Sequence, residues 1–249
     1  MHNHYYRRGN LFSHCSYNNL VINNIIQNEV VKFKEFFFTI LESVCFILGS
    51  YLQENTYKNK LLQCYYAKNV GLNTASYYLT NYLDDKIVEN IIVKSIADVH
   101  PFEYENYRYA MQYKFLSNAK LHSKAICFYQ DYISKSFEIR SFLLDKEFYS
   151  MATFTQNNPH SKIDGRNDPL NTNKKTPYVL PVDIKDKLLD FADKMGINTG
   201  SFDLLFNEEK GYLFLEVNPS GQFEWLSKNC NYYLEEKIAL YLYEKTSQY

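Results

Sequence analysis

Three hard oxygen donors, Asp203, Glu216 and Asn218, fall within the stretch GSFDLLFNEEKGYLFLEVNPSGQFEW, residues 200–225. Two of them are carboxylates set among Phe, Leu and Val, where an unpaired charge is costly. The apolar runs Ser201–Asn207 and Tyr212–Val217 flank a polar turn ending in Gly211, a pattern that predicts a β-hairpin. Strand parity puts Glu216 and Asn218 on one face. A four-residue loop, Glu208–Gly211, would pair Asn207 with Tyr212 and set Asp203 directly opposite Glu216. Carboxylates that close repel, so a cation is expected between them. An all-oxygen set suits Mg²⁺ carrying a nucleotide phosphate. An ordinary edge hairpin with one wet face satisfies the same spacing.

Three basic residues fit the same chemistry. Lys94 interrupts the apolar strand Ile91–Ala97, and a buried lysine needs an anion such as phosphate. An edge-strand lysine facing water is the alternative. Arg140 follows Glu138 by two residues, on one strand face. Arg166 lies in a long polar loop. Arginine binds phosphate in bidentate fashion and offsets charge developing on a phosphoryl group; a surface salt bridge for Arg140 and a solvated charge for Arg166 are the plainer readings.

Other classes are disfavoured. Lys plus Arg number 27 and Asp plus Glu 28, so there is no bulk basic field for nucleic acid. The five cysteines (Cys15, Cys45, Cys64, Cys127, Cys230) are scattered, with no C-x-x-C pair, which argues against a disulfide framework or zinc site and fits a reducing cytoplasm. Nothing about the six histidines suggests a triad. The most apolar window, Phe36–Gly49, is short for a membrane span and contains Glu42; it reads as a buried helix.

Asp203 with Glu216-Val217-Asn218-Pro219 resembles the metal-binding end of ATP-grasp ligases. The run Asn-Pro-Ser-Gly-Gln-Phe-Glu-Trp, residues 218–225, is narrower. It resembles the maturases of ribosomally made peptides, both the microviridin-type ligases and the grasp-with-spasm type. The resemblance implies an α/β protein whose α+β lobes grip ATP, with a partial, mostly helical pre-ATP-grasp lobe at 1–80. The ATP-grasp domain would be 81–249, divided into a nucleotide-covering lobe (81–133) and a metal-binding lobe (134–249). It assigns Lys94 to the phosphates, the hinge Gln130-Asp131-Tyr132-Ile133 to adenine, and Glu138 to the ribose. Arg140 and Arg166 become catalytic, and Asp203, Glu216 and Asn218 ligate Mg²⁺. Ser95–Tyr107 departs from the family, lacking its glycine-rich phosphate flap. The HYYRRG at His4–Gly9 resembles a turn that relatives carry well inside their first lobe, so that lobe is expected to be shortened.

The implied activity activates an Asp or Glu side chain of a precursor peptide as an acyl phosphate, with ATP and Mg²⁺. A Ser, Thr or Lys side chain then captures it as an ester or amide. A leader-bearing precursor is the implied partner; the resemblance also admits a SPASM-domain protein and a homodimer, and involves neither nucleic acid nor membrane. Two other readings stay open: an amino-acid or glutamate ligase of the same fold, and a degenerate binding protein without turnover.

Periodicity supplies the supporting elements. Helices are expected over 28–54, over Tyr57–Asn69 with Gly71 as its stop, and from Thr80-Asn81. Asn59-Lys60-Leu61-Leu62-Gln63 resembles the family helix that precedes the ATP-grasp domain, with a packing role. Strands are expected at Ile91–Ala97, paired with Tyr109–Leu116, and at Ala125–Ile133. Glu138–Leu144 and Glu147–Thr155 flank the turn Asp145-Lys146. A loop fills Thr155–Thr176. A helix capped by Asp183 runs to Met195, and a closing helix spans Asn231–Lys245.

Overall fold

A computed structural model describes residues 4–6, 19–82, 90–94, 96, 102–104, 107–109, 114–116, 122–156, 158 and 172–246. Strand β1 (His4–Tyr5) is followed by helix α1 (Leu20–Val44) and strand β2 (Ile47–Leu48), which pairs parallel with β1. Asn19 sets the start of α1, its side chain accepting from the Val21 and Ile22 N–H groups. The helix thus begins and ends before the expected 28–54. Nor is it buried: Phe38, packed on Tyr6 and Tyr51, is its one buried residue, while Phe36, Ile40 and Val44 are more than half exposed. The end of that apolar window instead enters β2, where Leu48 is fully buried.

A one-turn helix, α2 (Glu54–Tyr57), precedes α3 (Lys60–Asn69), which ends where expected but starts three residues after Tyr57 because the Asn59 side chain caps it at Leu61 and Leu62. Gly71 ends it in the left-handed region, φ 74°, with Leu72 N–H donating to the Ala67 carbonyl. The helix expected from Thr80-Asn81 is a strand, β3 (Tyr77–Tyr82). Its run of tyrosines and Thr80 suits a pleated sheet better than a helix.

A four-stranded antiparallel sheet follows. It contains β4 (Ile91–Lys94) but not the hairpin β5 (Phe102–Tyr104) and β6 (Tyr107–Tyr109), which pairs with itself. With β7 (Lys114–Leu116) and β8 (His122–Asp131) the order is β3-β8-β4-β7. Among the described residues of Tyr109–Leu116, Lys114–Leu116 pair with β4, Ile91 opposite Leu116, while Tyr109 pairs with Phe102. Since β4 has a neighbour on each side, Lys94 is not on an edge strand.

The second sheet is five-stranded and antiparallel. Its hairpin β9 (Phe137–Leu144) and β10 (Glu147–Phe154) turns at Asp145-Lys146 as expected. The end of the expected loop enters a strand, β11 (Lys174–Tyr178), paired with β10. Helix α4 (Val182–Met195) has Pro181 at its cap position and Asp183 in its first turn, not as the cap, and Gly196 ends it at φ 72°. β12 (Thr199–Asn207) and β13 (Gly211–Asn218) complete the order β11-β10-β9-β12-β13.

Alternation along the strands buries both faces of this sheet. Ile139, Leu143, Phe202 and Leu204 pack beneath Leu188, Phe191 and Ala192 of α4 and Ala67 of α3. Phe142, Leu144 and Met151 face the other way. They pack against Leu226 of α5 (Glu224–Cys230), Leu234 and Ile238 of α6 (Leu234–Thr246), and Leu48. The expected closing helix is α6, starting at Leu234; the short helix α5 comes before it and ends where Asn231 adopts φ 53°. Among the described residues no helix is long and apolar enough to cross a membrane.

Candidate active site

The hairpin carrying the oxygen donors reaches its expected register by an unexpected route. Asn207 pairs with Gly211, because the Asn207 side chain accepts from the Glu209 and Lys210 N–H groups and tightens the turn. The loop is one residue shorter than the spacing suggests. A bulge then leaves Leu215 unpaired: Leu204 opposes Phe214, and Asp203 opposes Glu216. The two departures cancel. Ser201 opposes Asn218, so Asp203, Glu216 and Asn218 share one face of the sheet.

The next strand completes the cluster. Arg140 of β9 stands opposite Asp203 on its other side. Its Nη1 lies 3.0 Å from both Asp203 carboxylate oxygens, its Nη2 donates to the Gln222 carbonyl at 3.3 Å, and its guanidinium sits 5.6 Å from the Trp225 ring centre. Lys60 Nζ, from α3, is 3.8 Å from the Glu216 carboxylate. The repulsion that called for a cation is thus met in part by two cations of the protein itself. Cross-strand neighbours place Glu138, Arg140, Asp203, Glu216 and Asn218 on the face that carries Phe142 and Met151.

These residues fit a hard divalent cation. The Asn218 Oδ1 is buried and has no hydrogen-bond partner. An unsatisfied buried acceptor costs about 1–3 kcal/mol, which a bound cation would offset. Among the described residues no three His, Cys, Asp or Glu side chains form a metal group, so any such site depends on the amide oxygen beside the two carboxylates. The loop behind is tightly built: a Cβ on Gly221 would lie 2.6 Å from the Ser201 Cβ and 2.8 Å from the Asn218 carbonyl oxygen. Only glycine allows that approach.

The other expected residues are placed as follows. Lys94 is buried and within electrostatic reach of Cys64 on α3; burial pushes that thiol up, against the pull of the Lys94 and Lys68 charges. Lys60 and Cys64 are one helical turn apart, so the face of α3 that reaches Glu216 is also the face within electrostatic reach of Lys94. At the hinge, Gln130 is buried, Asp131 N–H donates to the Ser76 carbonyl, and Tyr132 N–H donates to the Asn90 carbonyl. Both N–H groups thus tie the hinge to neighbouring backbone. Ile133 follows them outside the strand. Glu138 is ion-paired to Lys135, a buried residue that the sequence reading passed over. Arg166, Arg7, Arg8 and most of Ser95–Tyr107 lie outside the described residues.

Two more contributors went unnoticed because they lie far off in sequence. Ser220 donates to Glu54 of α2 at 3.0 Å, and Tyr6 donates to the same carboxylate at 2.8 Å. Burial opposes the Glu54 charge, but the hydrogen bonds from Lys58, Tyr6 and Ser220 and the Lys58 charge outweigh it and hold the carboxyl below its ordinary range. No sequence signal linked Glu54 or Lys60 to the hairpin.

Neither a family model nor a curated protein matches the chain. Solved structures do. A Chryseobacterium gregarium RiPP-associated ATP-grasp ligase, in complex with ADP and a leader and core peptide, aligns with a TM-score of 0.80 and 20% identity over 98% of this chain and 76% of its own. The macrocyclase MdnC of Microcystis aeruginosa, bound with precursor peptide MdnA, aligns with a TM-score of 0.75 and 19% identity over 98% of this chain and 79% of its own. The ATP-grasp ligase PsnB, complexed with minimal precursor, gives a TM-score of 0.71 and 16% identity over 98% and 78%. The chain has the α/β ATP-grasp fold. Within that fold it is similar to ligases solved in complex with precursor, leader or core peptides.

Proposed function

We propose that this chain is an ATP-dependent ligase that cross-links side chains of a ribosomally made precursor peptide. The observation that carries the reading is the convergence of Asp203, Glu216 and the unpartnered Asn218 oxygen beside Arg140, within a fold shared with precursor-peptide ligases. Asp203, Glu216 and Asn218 would hold Mg²⁺, which when bound neutralises phosphate charge. Lys94 binds phosphate, Glu138 holds the ribose once drawn from Lys135, and Gln130–Ile133 line the adenine. Arg140 and Arg166 steady the phosphoryl group.

The chemistry needs positioning more than a protein nucleophile. An Asp or Glu carboxylate of the peptide takes the γ-phosphoryl group of ATP, releasing ADP. A Ser or Thr hydroxyl, or a Lys amine, then attacks the acyl carbon and expels phosphate. The peptide loses one water for each ester or amide formed. The same reading takes a leader-bearing precursor as partner, a SPASM-domain protein as an associate, a homodimer as the working assembly and the cytoplasm as the compartment.

The test is intact mass of a candidate precursor after incubation with the protein, ATP and Mg²⁺. ATP-dependent losses in units of one water are expected, and Glu216→Gln should abolish them. Full activity in that variant would refute the metal assignment. A mass gain of one amino acid would point to an amino-acid ligase of the same fold. Nucleotide binding without any mass change would point to a protein that binds without turnover.

A further inference from the structure

Helix α3 lies against the outer edge of β13, and one of its side chains grips the strand. Gln63 is 2% exposed and uses its whole amide on backbone. Its Oε1 accepts from the Val217 N–H at 2.9 Å, and its Nε2 donates to the Val217 carbonyl at 2.8 Å and the Tyr57 carbonyl at 2.6 Å. Val217 is the residue between Glu216 and Asn218. A side chain bonded to both polar groups of one residue stands in for a neighbouring strand. It fixes the peptide planes on either side of Val217, and with them the directions of the two flanking side chains. Nearby the edge is closed again, where Phe214 N–H donates to the Asn73 carbonyl at 2.8 Å. Packing alone would ask for an apolar residue here, since Tyr57, Ala67, Leu72 and Val217 form the surrounding core. A buried amide in such a place is expensive unless every polar atom is used.

We propose that Gln63 is a positioning residue for the metal site, acting through Val217 on Glu216 and Asn218. The inference rests on the reading of Asp203, Glu216 and Asn218 as cation ligands. Partners behind metal ligands typically contribute a factor of about 10–100 in metal affinity. Helix α3 would then do more than pack: it would set the ligand geometry of a strand far away in sequence.

The experiment is calorimetric titration of the full chain with ADP, once with Mg²⁺ and once with chelator, for wild type, Gln63→Met and the core variant Leu188→Ala. Thermal melts of all three accompany it. For Gln63→Met, metal-free ADP affinity is expected within about twofold of wild type, while the Mg²⁺-dependent gain in affinity falls about tenfold or more. Leu188→Ala, destabilised through the core beneath α4, is expected to keep the gain. An undiminished gain in Gln63→Met would overturn the proposal, as would an equal loss in Leu188→Ala, which would mark a general stability effect. If Gln63→Met does not fold, Gln63→Glu keeps the acceptor for Val217 N–H, removes both donors and is judged by the same outcomes. A wild type that binds ADP with no Mg²⁺ gain would overturn the metal reading itself, a result separate from failure of the Gln63 role.

Discussion

Replacing Arg140 with methionine tests how the protein balances charge at the site. In the folded chain the guanidinium holds Asp203 at 3.0 Å, and Asp203 stands directly opposite Glu216. Directly opposed strand residues have Cβ atoms about 5 Å apart. Two carboxylate charges at about that distance repel by about 3 kcal/mol at an effective dielectric of about 20. Asp203 and Glu216 remain 25% and 23% exposed, so water and salt reduce this, and a loss of about 1–2 kcal/mol in stability is expected. Mg²⁺ should then stabilise Arg140→Met more than it stabilises wild type, since it replaces the missing cation. The assay is urea unfolding of both proteins with and without Mg²⁺, at low and high ionic strength. Turnover should also fall, by about 10²–10³ for a lost donor to developing charge. A variant as stable as wild type, or one that Mg²⁺ stabilises no more than wild type, would refute the charge argument.

Two further perturbations probe the scaffold. Gly221→Ala places a methyl against the Ser201 Cβ at 2.6 Å and the Asn218 carbonyl at 2.8 Å, so it should cost about 1–3 kcal/mol in urea unfolding and depress peptide dehydration. Glu54 has a carboxyl held below its ordinary range by Lys58, Tyr6 and Ser220 against the cost of burial. A depressed carboxyl stabilises the fold above its unfolded pKa of about 4.3, and that contribution disappears as pH falls through the lower folded value. Wild type should therefore lose more stability than Glu54→Gln on acidification below about pH 4, measured by unfolding across the acid range. Parallel curves would rule out the Glu54 contribution.

Local patterns carried much of the fold. Gly211 and the alternating apolar runs marked the β12–β13 hairpin, and Asp145-Lys146 marked the β9–β10 hairpin. Gly71 and Gly196 marked two helix ends. Failures came where a neighbour overrode the local pattern. Tyr77–Tyr82 is a strand through pairing with β8, and the cap at Asn59 moves the start of the helix expected from Tyr57 to Lys60. The apolar window in α1 looked buried because hydrophobicity alone does not say whether anything packs against it.

For the site, the sequence by itself determined the donor types. Asp203, Glu216 and Asn218 lie close enough for strand period and one turn to bring them together. Even there the register held because a short turn and the bulge at Leu215 compensate, and spacing does not encode such a pair of shifts. Only the tertiary structure decided which residues surround the donors. Arg140 meets Asp203 because β9 lies beside β12, although the strands are far apart in the chain. Lys60, Gln63 and Glu54 reach Glu216, Val217 and Ser220 because α3 packs on the outer edge of β13 and α2 packs beside α3. Such contacts come from burying a strand edge and a helix face together, a condition on the whole chain that no local window contains.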